Sequence, residues 1–104
     1  MRRAARVDRN QTEIAAAFRS MGCSVVSLAA HGKGLPDLLV GVAWRNLLVE
    51  VKDSQKAPSR RRLTPDQEAF KANWRGSVLY VDDVSDVPTI VNAMRSASAL
   101  GDGN

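Results

Sequence analysis

The chain has 104 residues, 44% of them hydrophobic and 25% charged, enough for one compact domain with a modest core and too few for a multidomain machine. A single cysteine, Cys23, excludes a disulfide framework and, without a signal-peptide pattern, fits a cytoplasmic location. No apolar run nears the ~20 residues that span a bilayer, so a soluble protein with no membrane contact is expected. The formal charge of +4 is uneven, with net +7 on residues 1–81 and net −3 on residues 82–104, so a polyanion is expected against the earlier part.

The start, Met1 to Arg6, is basic and lacks an apolar anchor, and residues 1–7 read as a mobile arm. Ile14, Ala17, Phe18 and Met21 recur at i, i+3, i+4 and i+7, which predicts a helix with one buried stripe, ended by Gly22. Ser24 to Leu28 reads as a first strand, followed by a loop holding His31, Gly32, Lys33 and Gly34. Two apolar runs, Asp37 to Val42 and Asn46 to Lys52, flank a connection around Ala43-Trp44-Arg45. They predict an antiparallel hairpin, central in the sheet and buried on both faces.

Residues 53–63 are polar and basic and contain Pro58, the composition of a surface loop. Thr64 is placed to cap a second helix, with Pro65 in its first turn and Gln67 three residues after the cap. Ser77 to Val81 reads as a fourth strand, and Val87, Ile90, Val91 and Met94 give a last helix. Residues 101–104 are expected to fray. The order αβββαβα, without repeats, describes a single α/β domain over residues 1–104, with a mixed sheet flanked by helices.

The strand from Asn46 to Lys52 carries the chemistry. Successive side chains alternate faces, so Glu50 and Lys52 share one face of a core strand. A carboxylate leaving water there needs a paired cation or a metal to offset the cost. Asp37, directly after Pro36 on the partner strand, joins that face if the hairpin loop holds an even number of residues; an odd loop puts it on the other side. Two carboxylates with water form a ligand set suited to Mg²⁺, with Mn²⁺ as a substitute, and no Cys or His cluster offers a zinc site. A cation held there polarises a phosphoryl oxygen, while Lys52 orients a water or helps it lose its proton. That is equipment for hydrolysing a phosphodiester.

Gly34-Leu35-Pro36-Asp37, then Glu50-Val51-Lys52, then Leu63-Thr64-Pro65-Asp66-Gln67 resemble the PD-(D/E)xK nuclease superfamily, most closely its stand-alone virus-type replication-repair (VRR-NUC) branch, from about Glu13 to Val81. The resemblance implies a restriction-endonuclease-like core. It also implies that Asp37 and Glu50 bind the divalent ion with the Val51 carbonyl, that Lys52 serves the attacking water, that Gln67 supports the site and that Glu13 holds a metal-bound water. Stand-alone members are similar to Holliday-junction resolvases and tend to act as homodimers.

Each residue also has a plainer reading. Glu50 and Lys52 can form an ordinary ion pair, and Asp37 can be a turn residue. Glu13 completes a possible capping box with Asn10, for which Asp8 with Gln11 is an alternative cap. Gln67 can cap with Thr64, although it shares a face with Phe70 and Trp74 and so points inward. Lys56, Arg60, Arg61 and Arg62, with Ser59, leave the ExK strand where a phosphate backbone has to run, and Lys33 is a further candidate contact. His31 and the loop glycines match no phosphate-cradling fingerprint. Trp44 and Trp74 read as hairpin-tip and core residues, not as platforms for stacked bases.

The function expected from the sequence is a Mg²⁺- or Mn²⁺-dependent endodeoxyribonuclease for branched DNA such as Holliday junctions, acting in repair or recombination without a small-molecule cofactor. Symmetric cleavage of a four-way junction needs two active sites and hence a two-fold homodimer. The rivals are a catalytically inactive DNA-binding protein with the same fold and a basic α/β domain that binds a protein partner.

Overall fold

A computed structural model describes residues 9–52 and 63–102. The basic arm, most of the basic loop, and residues 103 and 104 lie outside the described residues. The elements in chain order are α1 (Arg9–Ser20), β1 (Ser24–Ser27), β2 (Leu38–Val42), β3 (Arg45–Val51), α2 (Pro65–Asn73), β4 (Val78–Val81) and α3 (Val87–Asp102), with short 3₁₀ turns at Ala29–His31 and Val84–Asp86. The strands form one mixed sheet in sequence order. β1 to β3 are antiparallel neighbours, and β4 lies parallel to β3 after the α2 crossover.

The hairpin between β2 and β3 sets the register of the whole site. Val42 pairs with Arg45, so the loop is the two residues Ala43 and Trp44, and Arg45 already belongs to the strand. Both loop residues have positive φ, 55° and 62°, the type I′ geometry that matches the twist of the flanking strands. Because the loop is even, Leu38 pairs with Val49 and Leu39 with Leu48, and Asp37 falls opposite Glu50 one step further on.

The core lies on one side of the sheet. Ile14 and Phe18 of α1 and Val87 and Val91 of α3 are fully buried against Leu38, Val40, Val42, Leu47, Val49 and Val81, each large side chain contributing roughly 1.5–3 kcal/mol. α1 ends as its glycine dictates: Gly22 takes φ +87°, its N–H reaches the Arg19 carbonyl, and the Cys23 N–H reaches the Phe18 carbonyl. This closure satisfies the last carbonyls and folds Cys23 back onto Phe18.

The other side is thinner. α2 contributes no buried residue, and Leu39 and Leu48 are only half-buried, so the hairpin is buried on one face, not on both. Trp74 is no core residue: it follows the last turn of α2, is 45% exposed, and stacks on Phe70 with ring centroids 5.2 Å apart. α3 continues through Gly101 and Asp102, within the stretch expected to fray, since one interior glycine costs a helix only about 1 kcal/mol. Among the described residues no helix is long and apolar enough to cross a membrane.

Candidate active site

Asp37 is set by what precedes it. Pro36 is fully buried and fixes the backbone as the chain returns to the sheet, where the Leu28 N–H donates to the Asp37 carbonyl at 2.7 Å. The Asp37 carboxylate crosses to the next strand and accepts the Val51 N–H at 2.8 Å. Opposite it, Glu50 is only 4% exposed. Burial and the charge of Asp37 push its carboxyl from 4.5 up to about 7, while Lys52 and Gln67 pull the other way.

Two groups hold the Glu50 carboxylate, and both meet the same oxygen. The Lys52 ammonium lies 3.4 Å from Oε2, as the two-residue spacing along the strand requires. The Gln67 Nε2 donates to Oε2 at 2.9 Å. Gln67 serves its helix at the same time: its Oε1 accepts the Thr64 N–H at 2.9 Å, and its own N–H reaches the Thr64 hydroxyl at 3.2 Å. The helix cap and the contact with Glu50 are therefore two ends of one amide.

The approach of α2 depends on Gly34. This residue has φ +80°, and a Cβ on it would collide with the Asp66 carbonyl in the first helical turn. A glycine there lets the loop before Pro36-Asp37 pass close enough for Gln67 to reach Glu50.

Asn10 is one of two caps that the sequence offers for the start of α1, and the structure gives it another task. It sits inside α1, and its Nδ2 donates to the Lys52 carbonyl at 2.7 Å and to the Asp82 carbonyl at 3.4 Å. With the Lys52 N–H bonded to the Val81 carbonyl at 2.8 Å, the main chain of Lys52 is held from both sides. Asn10 thus lies within the helix and not at its cap. Glu13 lies one turn further along α1 with its side chain exposed.

Tyr80 pairs in register with Glu50 on β4, is 45% exposed, and has the Lys71 ammonium 5.6 Å above its ring. The only sequence signal for it was a polar-tipped aromatic in a short strand. Lys33 is exposed, with φ 60°, between two glycines that also have positive φ. Lys56, Arg60, Arg61 and Arg62 lie outside the described residues.

The described residues contain no group of three or more His, Cys, Asp or Glu side chains placed to hold a metal. The candidate centre is instead a pair of carboxylates, a donor set that suits a hard cation which keeps most of its water. The raised Glu50 carboxyl fits such an ion, because positive charge beside it would relieve the repulsion from Asp37.

No protein-family model and no curated protein matches the sequence. Among solved structures, a chain described as "VRR_NUC domain" is 29% identical, with a TM-score of 0.54, the match covering 81% of this chain and 91% of that one. On that likeness the chain has the VRR-NUC nuclease fold, an α/β domain with a restriction-endonuclease-like core.

Proposed function

We propose that this nuclease domain is a Mg²⁺- or Mn²⁺-dependent endodeoxyribonuclease that cuts branched DNA in the cytoplasm as a two-fold homodimer. The observation that carries the reading is the buried Glu50, opposite Asp37 across the hairpin and held by Lys52 at 3.4 Å and Gln67 at 2.9 Å. A carboxylate so buried and so crowded by a second one is costly for a scaffold and useful around a cation.

In this reading Asp37, Glu50 and the Val51 carbonyl hold the ion. When bound, it supplies positive charge that polarises the phosphoryl oxygen and offsets the charge growing there. Lys52 orients the attacking water by donating to it from beside Glu50. The water oxygen forms the new bond to phosphorus as the bond to the leaving sugar oxygen breaks; one proton of the water ends on that oxygen as a hydroxyl, and the other passes to solvent. Gln67 keeps the Glu50 carboxylate in one rotamer, Asn10 keeps the Lys52 main chain in place, and Glu13 from α1 holds a water of the ion.

A two-fold dimer follows from the substrate, because symmetric cleavage of a four-way junction requires two such sites. The test is incubation of labelled linear, nicked, flap and four-way DNA with Mg²⁺ or with Ca²⁺. Cleavage of the branched forms with Mg²⁺ alone is expected. Salt-sensitive binding without cleavage in any metal would favour a non-catalytic DNA-binding protein instead.

A further inference from the structure

We propose that the tip of the β2–β3 hairpin and the cleft beside it bind an unstacked nucleotide from a single-stranded arm of the substrate, with Trp44 as the stacking platform and Arg45 and Arg95 as phosphate partners. The proposal rests on DNA being the substrate, as argued above. It reverses the sequence-based reading of Trp44 as an ordinary turn residue.

The tip is built at a cost that the fold does not require. Ala43 and Trp44 both sit at positive φ, a region uncommon for non-glycine residues and an outlier for bulky ones, where Asn-Gly would serve without strain. The indole is 102% exposed, so it contributes no burial to offset that strain. Strain combined with a large apolar ring held in water marks a binding element better than a structural one.

Beside the ring is an open cleft of about 320 Å³ with Arg45 and Arg95 in its walls and no acidic side chain among its lining residues. Arg95 is already oriented: its Nη2 donates to the Met21 carbonyl, which leaves other guanidinium donors for a ligand. Gly22 keeps this wall low, since a Cβ there would stand 3.3 Å from the Arg95 guanidinium.

A free aromatic face beside two guanidinium groups matches a base and its flanking phosphates. Duplex bases are already stacked on one another, so the ligand is single-stranded. A second copy of the chain is disfavoured, because a two-fold contact here would bring four guanidinium groups together. Asp37 and Trp44 stand at opposite ends of β2, about 20 Å apart along the strand.

The test uses Trp44→Gly and Trp44→Phe with three labelled DNAs: a single strand, a fork with a single-stranded arm, and a blunt duplex, all in Ca²⁺. Glycine suits the turn, so Trp44→Gly should fold at least as stably as the parent. It should nevertheless bind the single strand and the fork roughly 5- to 100-fold more weakly, with blunt-duplex affinity unchanged and the phenylalanine variant close to the parent. In a Trp74→Phe background Trp44 is the sole indole, and its fluorescence should be quenched by the single strand. Unchanged single-strand affinity in Trp44→Gly, no quenching at saturation, or a shift from dimer to monomer on sedimentation would overturn the proposal. Failure of the parent to bind any DNA would overturn the function itself, a result distinct from these.

Discussion

At 4% exposure Glu50 carries a carboxyl that burial and Asp37 push up to about 7, against the pull of Lys52 and Gln67. Since the folded chain holds this proton more tightly than the unfolded one, the stabilisation is full below about pH 4.5 and is lost as pH rises through about 7, a contribution of at most ~3 kcal/mol. The metal-free protein should therefore melt higher at pH 5 than at pH 8, by up to roughly 10 °C in thermal scans. Glu50→Gln should flatten that dependence and melt above the parent at pH 8, and Mg²⁺ should raise the parent's Tm at pH 8 while leaving the variant's unchanged. Asp37→Ala or Glu50→Ala should abolish cleavage of four-way DNA while a gel-shift assay still shows binding; retained cleavage would remove these residues from the site. That Glu50 and Lys52 share a face was legible in the sequence because strand alternation is a rule of the backbone, whereas the side taken by Asp37 was settled only by the two-residue length of the hairpin loop. The task of Asn10 was not legible, because a side chain reaching from α1 to the Lys52 and Asp82 carbonyls depends on packing between elements far apart in the chain.

Element order was legible for a similar reason. The i, i+3, i+4 pattern of α1, the Thr64-Pro65 start of α2 and the apolar runs of the hairpin each state a local preference, and the structure obeys all three. How deeply each element is buried was not legible. Phe70 and Trp74 lie on one face of α2 in the pattern of a core helix, yet that helix has no buried residue, because they stack mainly on each other at its end. α2 is held instead through Gln67 and the close pass of Gly34, and this separates two neighbouring glycines. Gly32 has φ +63° and open space around its missing Cβ, whereas Gly34 has φ +80° and the Asp66 carbonyl in the way. Gly32→Ala should cost roughly 1–3 kcal/mol from backbone strain alone, since φ +63° with ψ −151° is a conformation almost confined to glycine, and should leave cleavage intact. Gly34→Ala should lower stability further and, by pushing α2 away from Glu50, should cut activity by more than its effect on melting accounts for. Equal losses of activity in the two variants, compared at a temperature where both are folded, would argue against the role given to Gly34.

On the scale of the whole molecule, the sheet divides a solid side from a chemical side. α1 and α3 bury the core on one face, leaving Asp37, Glu50 and Lys52 where only α2 partly covers the sheet. Residues 53–62 join two described segments that meet at Glu50. They follow Lys52, whose ammonium touches Glu50 and whose N–H is fixed to Val81, and they lead into Thr64, which caps the helix whose Gln67 touches the same carboxylate. We propose that the four positive charges of Lys56, Arg60, Arg61 and Arg62 favour a phosphate backbone running past the carboxylates. Replacing Arg60, Arg61 and Arg62 together by Ala should weaken binding of all DNA forms alike. It should also flatten the plot of log affinity against log salt by about 0.9 for each phosphate no longer neutralised, hence by as much as ~2.7 if all three arginines engage. An unchanged slope would mean that these arginines face away from the DNA. A changed slope with intact cleavage at low salt would assign them to holding the substrate, with the chemistry left to Asp37, Glu50 and Lys52.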